Sequence, residues 1–201
     1  MNTRISWRLM CVLFVAMLCG CATVDQKVSL LYSPVTDIRS GKGELLLLAP
    51  SSGGKEGDAS AQWVIGRVKN GDGETIGTIV SSLSPEDLLR DAFNQEFTTA
   101  GYTVTQVSKL PQDVHRGIAV SKISLAFEDE WSLPRDKASA ILDVAVEIWK
   151  DGRKIRLLSY ESRVSDVAFR DRKLLAQQLL EKGLHEIMRQ AVPEIVTSLE
   201  M

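Results

Sequence analysis

The chain is short of cysteine, histidine and long apolar runs, and each shortage closes off a class of protein. Its three cysteines, Cys11, Cys19 and Cys21, all fall within the first 21 of 201 residues. No pair remains downstream to build a disulfide framework, and no cysteine cluster is available to hold a metal. Two histidines, His115 and His185, stand seventy positions apart. The longest uncharged apolar run, Leu9–Leu18, would reach only about 15–18 Å as a helix, against a hydrocarbon core of ~30 Å. Charge of either sign is also not in excess: 24 basic and 26 acidic residues give a net −2. Setting aside the first twenty residues, with Arg4 and Arg8, leaves 22 bases against 26 acids, a net −4. That balance gives no electrostatic reason to bind nucleic acid. What is present, 44% hydrophobic and 25% charged residues, is the composition of an ordinary globular protein with room for a real core.

The amino terminus divides into three chemical zones. Arg4 and Arg8 form a positive start, Leu9–Leu18 an apolar stretch of secretory length, and Leu18-Cys19-Gly20-Cys21 the end of it. Positive charge stays on the cytoplasmic side while the apolar stretch engages the export machinery. The ending resembles the lipobox of bacterial lipoproteins, with an aliphatic residue at −3, a small one at −1 and a cysteine at +1. The resemblance implies that Leu18, Cys19 and Gly20 are read by the signal peptidase, that cleavage follows Gly20, and that Cys21 carries the lipid. Cys19 is a poorer candidate, because bulky Leu18 would then sit beside the cut. By the same resemblance, Ala22, not Asp, at +2 implies sorting to the outer membrane of a Gram-negative cell. Each buried CH₂ contributes about 0.8 kcal/mol, so several acyl chains hold the protein effectively permanently.

Along the exported body, residues 21–43 are expected to be the lipidated terminus and a tether, with Val28–Tyr32 able to pair as an edge strand. Residues 44–201 are expected to be one domain. Glu44–Ala49 is an apolar run ended by Pro50, which suggests a buried strand. Residues 51–60 are loop by composition. Trp63–Lys69 and Thr75–Ser81 are strands separated by Asn70-Gly71-Asp72-Gly73, a hairpin signal because Asn and Gly tolerate positive φ. Ser84-Pro85 with Asp87 opens a helix, Leu89, Phe93, Phe97 and Ala100 give it a buried face, and Gly101 ends it. The period then changes to two. Tyr102–Val107, Gly117–Phe127, Ala140–Trp149 and Lys154–Val164 are strands, the last two joined at Asp151-Gly152. A long helix begins near Arg170 with an apolar side running from Ala176 to Leu199, and Pro193 is expected to kink or interrupt it. This order predicts an α+β domain, a mostly antiparallel sheet with two main helices packed on one face.

No set of residues along this body points to catalysis. His185-Glu186-Ile187-Met188-Arg189 misses H-E-x-x-H by one residue, and the replacement is a permanent cation that would repel a metal. Ser40-Gly41-Lys42-Gly43 lacks the glycine offset and the Ser/Thr of a phosphate-binding loop. No G-x-S-x-G occurs. Glu128-Asp129-Glu130 beside Trp131 could be a carboxylate pair or cation site, and a solvated strand end is the plainer reading. Trp63, Trp131 and Trp149 could each serve a partner or simply pack, with Trp149 on the polar face of its strand. No catalytic residue, cofactor or metal is assigned.

With these elements placed, Val64–Asn70, the helix from Ser84, Ala100-Gly101-Tyr102-Thr103-Val104 and the strands around Asp143–Glu147 and Arg156–Tyr160 resemble the YajG-type outer-membrane lipoproteins. The resemblance spans roughly residues 44–190 and implies a lipoprotein without an assigned catalytic role. The sequence thus predicts a non-enzymatic, lipid-anchored module on the periplasmic side of the outer membrane, binding an envelope protein or component. The alternative is an auxiliary lipoprotein of a lipid or solute transport system, which would need an apolar groove between sheet and helices.

Overall fold

Local signals in the chain become ten elements in the computed structural model, which describes residues 25–48, 62–132, 135–168 and 172–201. They are β1 (Gln26–Val28), β2 (Glu44–Leu48), β3 (Trp63–Asn70), β4 (Thr75–Ser81), α1 (Pro85–Ala100), β5 (Thr103–Val107), β6 (Arg116–Ser132), β7 (Arg135–Lys150), β8 (Arg153–Ala168) and α2 (Arg172–Glu200). Asn70 closes the β3–β4 hairpin by accepting the Asp72 and Glu74 amides on its side-chain oxygen at 3.1 and 2.8 Å. Asp151 and Gly152 turn β7 into β8 with φ of 47° and 75°, the left-handed pair a two-residue hairpin requires. Ser84 caps α1 by accepting the Asp87 amide at 2.9 Å. Gly101 ends the helix at φ 108°, where a Cβ would also stand 2.7 Å from the Gly41 carbonyl oxygen.

The expectation of a mostly antiparallel sheet is overturned. The sheet is mixed: eight strands curl into a half-barrel around two helices. The three hairpin-like pairings, β3–β4, β6–β7 and β7–β8, are antiparallel. The pairings β1–β4, β2–β5, β2–β6 and β3–β6 are parallel. The physical reason is the return path. The chain reaches β5 through α1 and then β6 through residues 108–115; both strands run in the direction of β2, which lies between them, and neither link is a short turn that forces a reversal. β6 is the branch point. β7 follows it along its length, while on its other side β2 pairs at Gly117–Ala119 and β3 at Phe127–Trp131. The register leaves one extra residue in β6, Ser121, and one in β8, Ile155 opposite the step Ile148/Trp149, and each adds local twist, which helps the long strands coil.

The two helices touch each other and fill the concave side. Leu89, Phe93, Phe97 and Ala100 of α1 and Leu179, Leu184, Ile187 and Leu199 of α2 are completely or almost completely buried. Opposite them lie Ile118 and Phe127 of β6 and Leu142, Val144, Val146 and Ile148 of β7. The last helix runs through Pro193 without interruption, because Val192, Ile195 and Val196 are buried on both sides of it. Packing there outweighs one absent backbone hydrogen bond.

Residues 21–43 are expected as a lipidated terminus and tether, with Val28–Tyr32 able to pair as an edge strand; from Gln26 to Gly43 the chain is part of this packing. β1 pairs with β4, and Val28, Leu30 and Tyr32 are 2%, 7% and 6% exposed. Gly41 then donates its amide to the Ala100 carbonyl at the end of α1, at 3.0 Å.

Candidate functional site

The residues on which the sequence reading places an anchor, Leu18, Cys19, Gly20 and Cys21, lie outside the described residues, as does the loop 51–60. The acidic run on β6 is divided by strand alternation. Asp129 is 3% exposed and accepts from the Gln26 amide at 2.8 Å and the Trp131 indole at 2.9 Å. Glu128 and Glu130 point the other way into solvent, Glu128 paired with Lys69 at 2.8 Å. Asp129 therefore ties β1 to β6, and no carboxylate pair forms. His115 is exposed in the loop before β6, against Asp151. His185 lies edge-on to the Tyr32 ring with centroids 5.4 Å apart, its Nε2 4.0 Å from Glu181. Among the described residues no group of three or more His, Cys, Asp or Glu side chains could hold a metal. Trp63 and Trp131 pack on the core, and Trp149 is half-buried, donating to Glu147 at 3.2 Å.

One buried polar site was missed by sequence reasoning. Glu96 is fully buried on α1, and its two oxygens receive four donors from the β1–β2 segment. Oε1 accepts the Tyr32 hydroxyl and the Val35 amide, the latter at 2.7 Å. Oε2 accepts the amide and hydroxyl of Thr36, at 3.2 and 2.5 Å. The available signal was a carboxylate standing between Phe93 and Phe97 on an otherwise apolar helix face. The same chemistry recurs at the other two tyrosines. Tyr102 donates to Glu200 at 2.8 Å and Tyr160 to Glu194 at 3.1 Å, both acceptors on α2. Burial raises all three phenols above their ordinary pKa, and each glutamate adds to the rise by hydrogen bond and by charge. A tyrosine–glutamate bond thus joins a helix to the surrounding chain in three places.

A cavity of about 460 Å³ opens at the end of the sheet, between Leu48, Leu110, Pro111, Ala119 and Trp149, with Glu147 as its carboxylate. Glu147 is already engaged by Trp149 and by Lys154 at 3.0 Å. The walls are mostly apolar, with Gln112 the other polar side chain beside Glu147. Such a recess can seat an apolar side chain.

No family model and no curated protein sequence matches the chain. Several solved structures align with the chain. Protein XCC0632 from Xanthomonas campestris, of family DUF330, aligns at 14% identity and TM-score 0.47 over 88% of this chain and 95% of its own. A neuraminyllactose-binding hemagglutinin homologue from Helicobacter pylori aligns at 12% identity and TM-score 0.43 over 84% and 92%. Rare lipoprotein B from Shewanella oneidensis aligns at 16% identity and TM-score 0.32 over 67% and 92%. At these values the likenesses bring no functional assignment with them.

Proposed function

We propose that the protein is a non-enzymatic envelope lipoprotein, anchored by lipid on Cys21, that serves as a binding or assembly module at the outer membrane. The observation that carries this reading is the ending Leu18-Cys19-Gly20-Cys21 after a positive start and a ten-residue apolar run. In this reading the body is kin to the YajG-type lipoproteins, on the pattern of Val64–Asn70 and Ala100–Val104, and it faces the periplasm. The filled concave side supports docking over the transport alternative, since the space between sheet and helices is occupied by buried side chains. Labelling cells with a radioactive or clickable palmitate analogue tests the anchor. Label is expected on the unsubstituted chain and absent from Cys21→Ser, which should leave the membrane fraction. Equal labelling of both, or a mature product that begins elsewhere than Cys21, would refute the reading.

A further inference from the structure

We infer that β8 is a self-association edge, pairing antiparallel with β8 of a second copy about a two-fold axis through Ser162. β8 is sixteen residues long and, among the described residues, pairs with β7 alone. Edge strands are usually short or blocked by proline or bulges; this one contains no proline, and its bulge at Ile155 lies before the stretch from Leu157 to Val167. Its even positions face the helices: Tyr160, Ser162 and Val164 are buried. Its odd positions, from Leu157 to Val167, are exposed on the convex side. The occupant is therefore a strand whose side chains must match these odd positions.

A second β8 matches them in one register. In an antiparallel pair, opposite residues share a face. Centring the two-fold on Ser162 sets Leu157 opposite Val167, Ser159 opposite Ser165 and Glu161 opposite Arg163, each twice. Leu157 and Val167 are among the large apolar side chains left exposed, at 58% and 42%, and this register gives each the other as a neighbour. Moving the axis by one residue sets Glu161 on Glu161 or Arg163 on Arg163, which like-charge repulsion disfavours. The single chain also leaves an imbalance. Glu161 stands opposite Asp143 on β7, and Arg163 beside it is the cation paired with Glu161. A second copy brings another guanidinium to the other side of Glu161. Two-fold symmetry makes such an interface self-complementary without further change of sequence.

Register-specific cross-linking of the full chain in whole cells tests this. Ser159→Cys and Ser165→Cys variants with different epitope tags would be co-expressed and oxidised, with the unsubstituted chain as background for the native cysteines. A mixed disulfide at least about tenfold above either variant expressed alone is expected, because directly opposite residues meet disulfide geometry. Glu161→Arg should lower that yield about fivefold or more, and the swapped pair Glu161→Arg with Arg163→Glu should restore it. All these positions are exposed, and circular dichroism checks that each variant folds. A mixed disulfide no more abundant than in the single-variant controls would overturn the proposal, as would a yield that Glu161→Arg leaves unchanged. Neither readout depends on the anchor at Cys21.

Discussion

Replacing Glu96 should release the segment that joins β1 to β2. Glu96→Ala removes the acceptors of the Tyr32 hydroxyl, the Thr36 hydroxyl and amide, and the Val35 amide. A buried donor left unsatisfied costs about 1–3 kcal/mol. Tyr32 and Thr36 are 6% and 8% exposed, so a small movement admits water and recovers part of that cost. A net loss of about 3 kcal/mol is expected, at the upper end of ordinary single substitutions. Glu96→Gln should lose about 1–2 kcal/mol. Its carbonyl keeps two donors, the Thr36 hydroxyl can turn to accept from the amide, and one amide donor faces another.

Two assays read this separately. Urea unfolding gives the global loss, and hydrogen exchange at the Val35 and Thr36 amides reports whether the segment opens before the rest. Opening first is favoured because β1 contributes only three paired residues, so without Glu96 the segment is held by Val28, Leu30 and Tyr32 in the core, by Val35 and Ile38 packed against it, and by single bonds at Gln26 and Gly41. If Glu96→Ala loses less than about 1 kcal/mol and both amides keep their protection, the reasoning from buried-donor cost is wrong at this site.

Two further outcomes follow from the same geometry. The tyrosines have folded-state pKa values raised above the unfolded ~10, by burial first and then by Glu96, Glu200 and Glu194. Their contribution is therefore complete below pH 10 and is lost as pH climbs beyond it. Tyrosinate absorbance should appear together with unfolding, and a phenol titrating near pH 10 in the folded protein would contradict it. Gly66→Ala should cost about 2–3 kcal/mol by thermal melt or urea, because a Cβ would stand 2.4 Å from the Phe127 carbonyl oxygen, on the backbone of the neighbouring strand. A neutral result there would mean that β3 and β6 can separate freely.

Much of the local structure was legible because its causes are local. Ser84, Pro85 and Gly101 bound α1 where their cap chemistry requires it, and Asp151-Gly152 makes the turn its positive φ values allow. The apolar side of α2, from Ala176 to Leu199, is buried throughout. Strand direction was not legible in the same way. Whether β2 lies beside β5 and β6 depends on contacts about sixty to seventy residues apart in the chain, and an apolar run such as Leu45–Leu48 carries no mark of its neighbours. The β1–β2 segment was read as a tether because its serines, glycines and proline are loop residues. Its hold on the domain comes from main-chain and hydroxyl donors meeting one buried carboxylate, which composition does not display. The cavity beside Trp149 combines a loop, two strands and the end of a third, so no single stretch announces it.

The packing of that segment changes what an anchor at Cys21 would do. A free tether through residue 43 could let the body range about 75 Å from the membrane. With Gln26 fixed in the sheet, five residues remain, and a fully extended chain spans at most ~18 Å over them. The β1 edge would then face the lipid surface at short range, while β8, the opposite edge of the main sheet, would point elsewhere. A fluorophore on the exposed side chain of Lys27→Cys should accordingly be quenched by headgroup-labelled lipid, and one on Ile155→Cys, at the start of β8, much less. Inserting twenty flexible residues after Ala22 should erase the difference by letting the body rotate and retreat. If position 27 and position 155 are quenched alike before the insertion, the body is not held by its first strand, and the short reach from Cys21 does not govern how it meets the membrane.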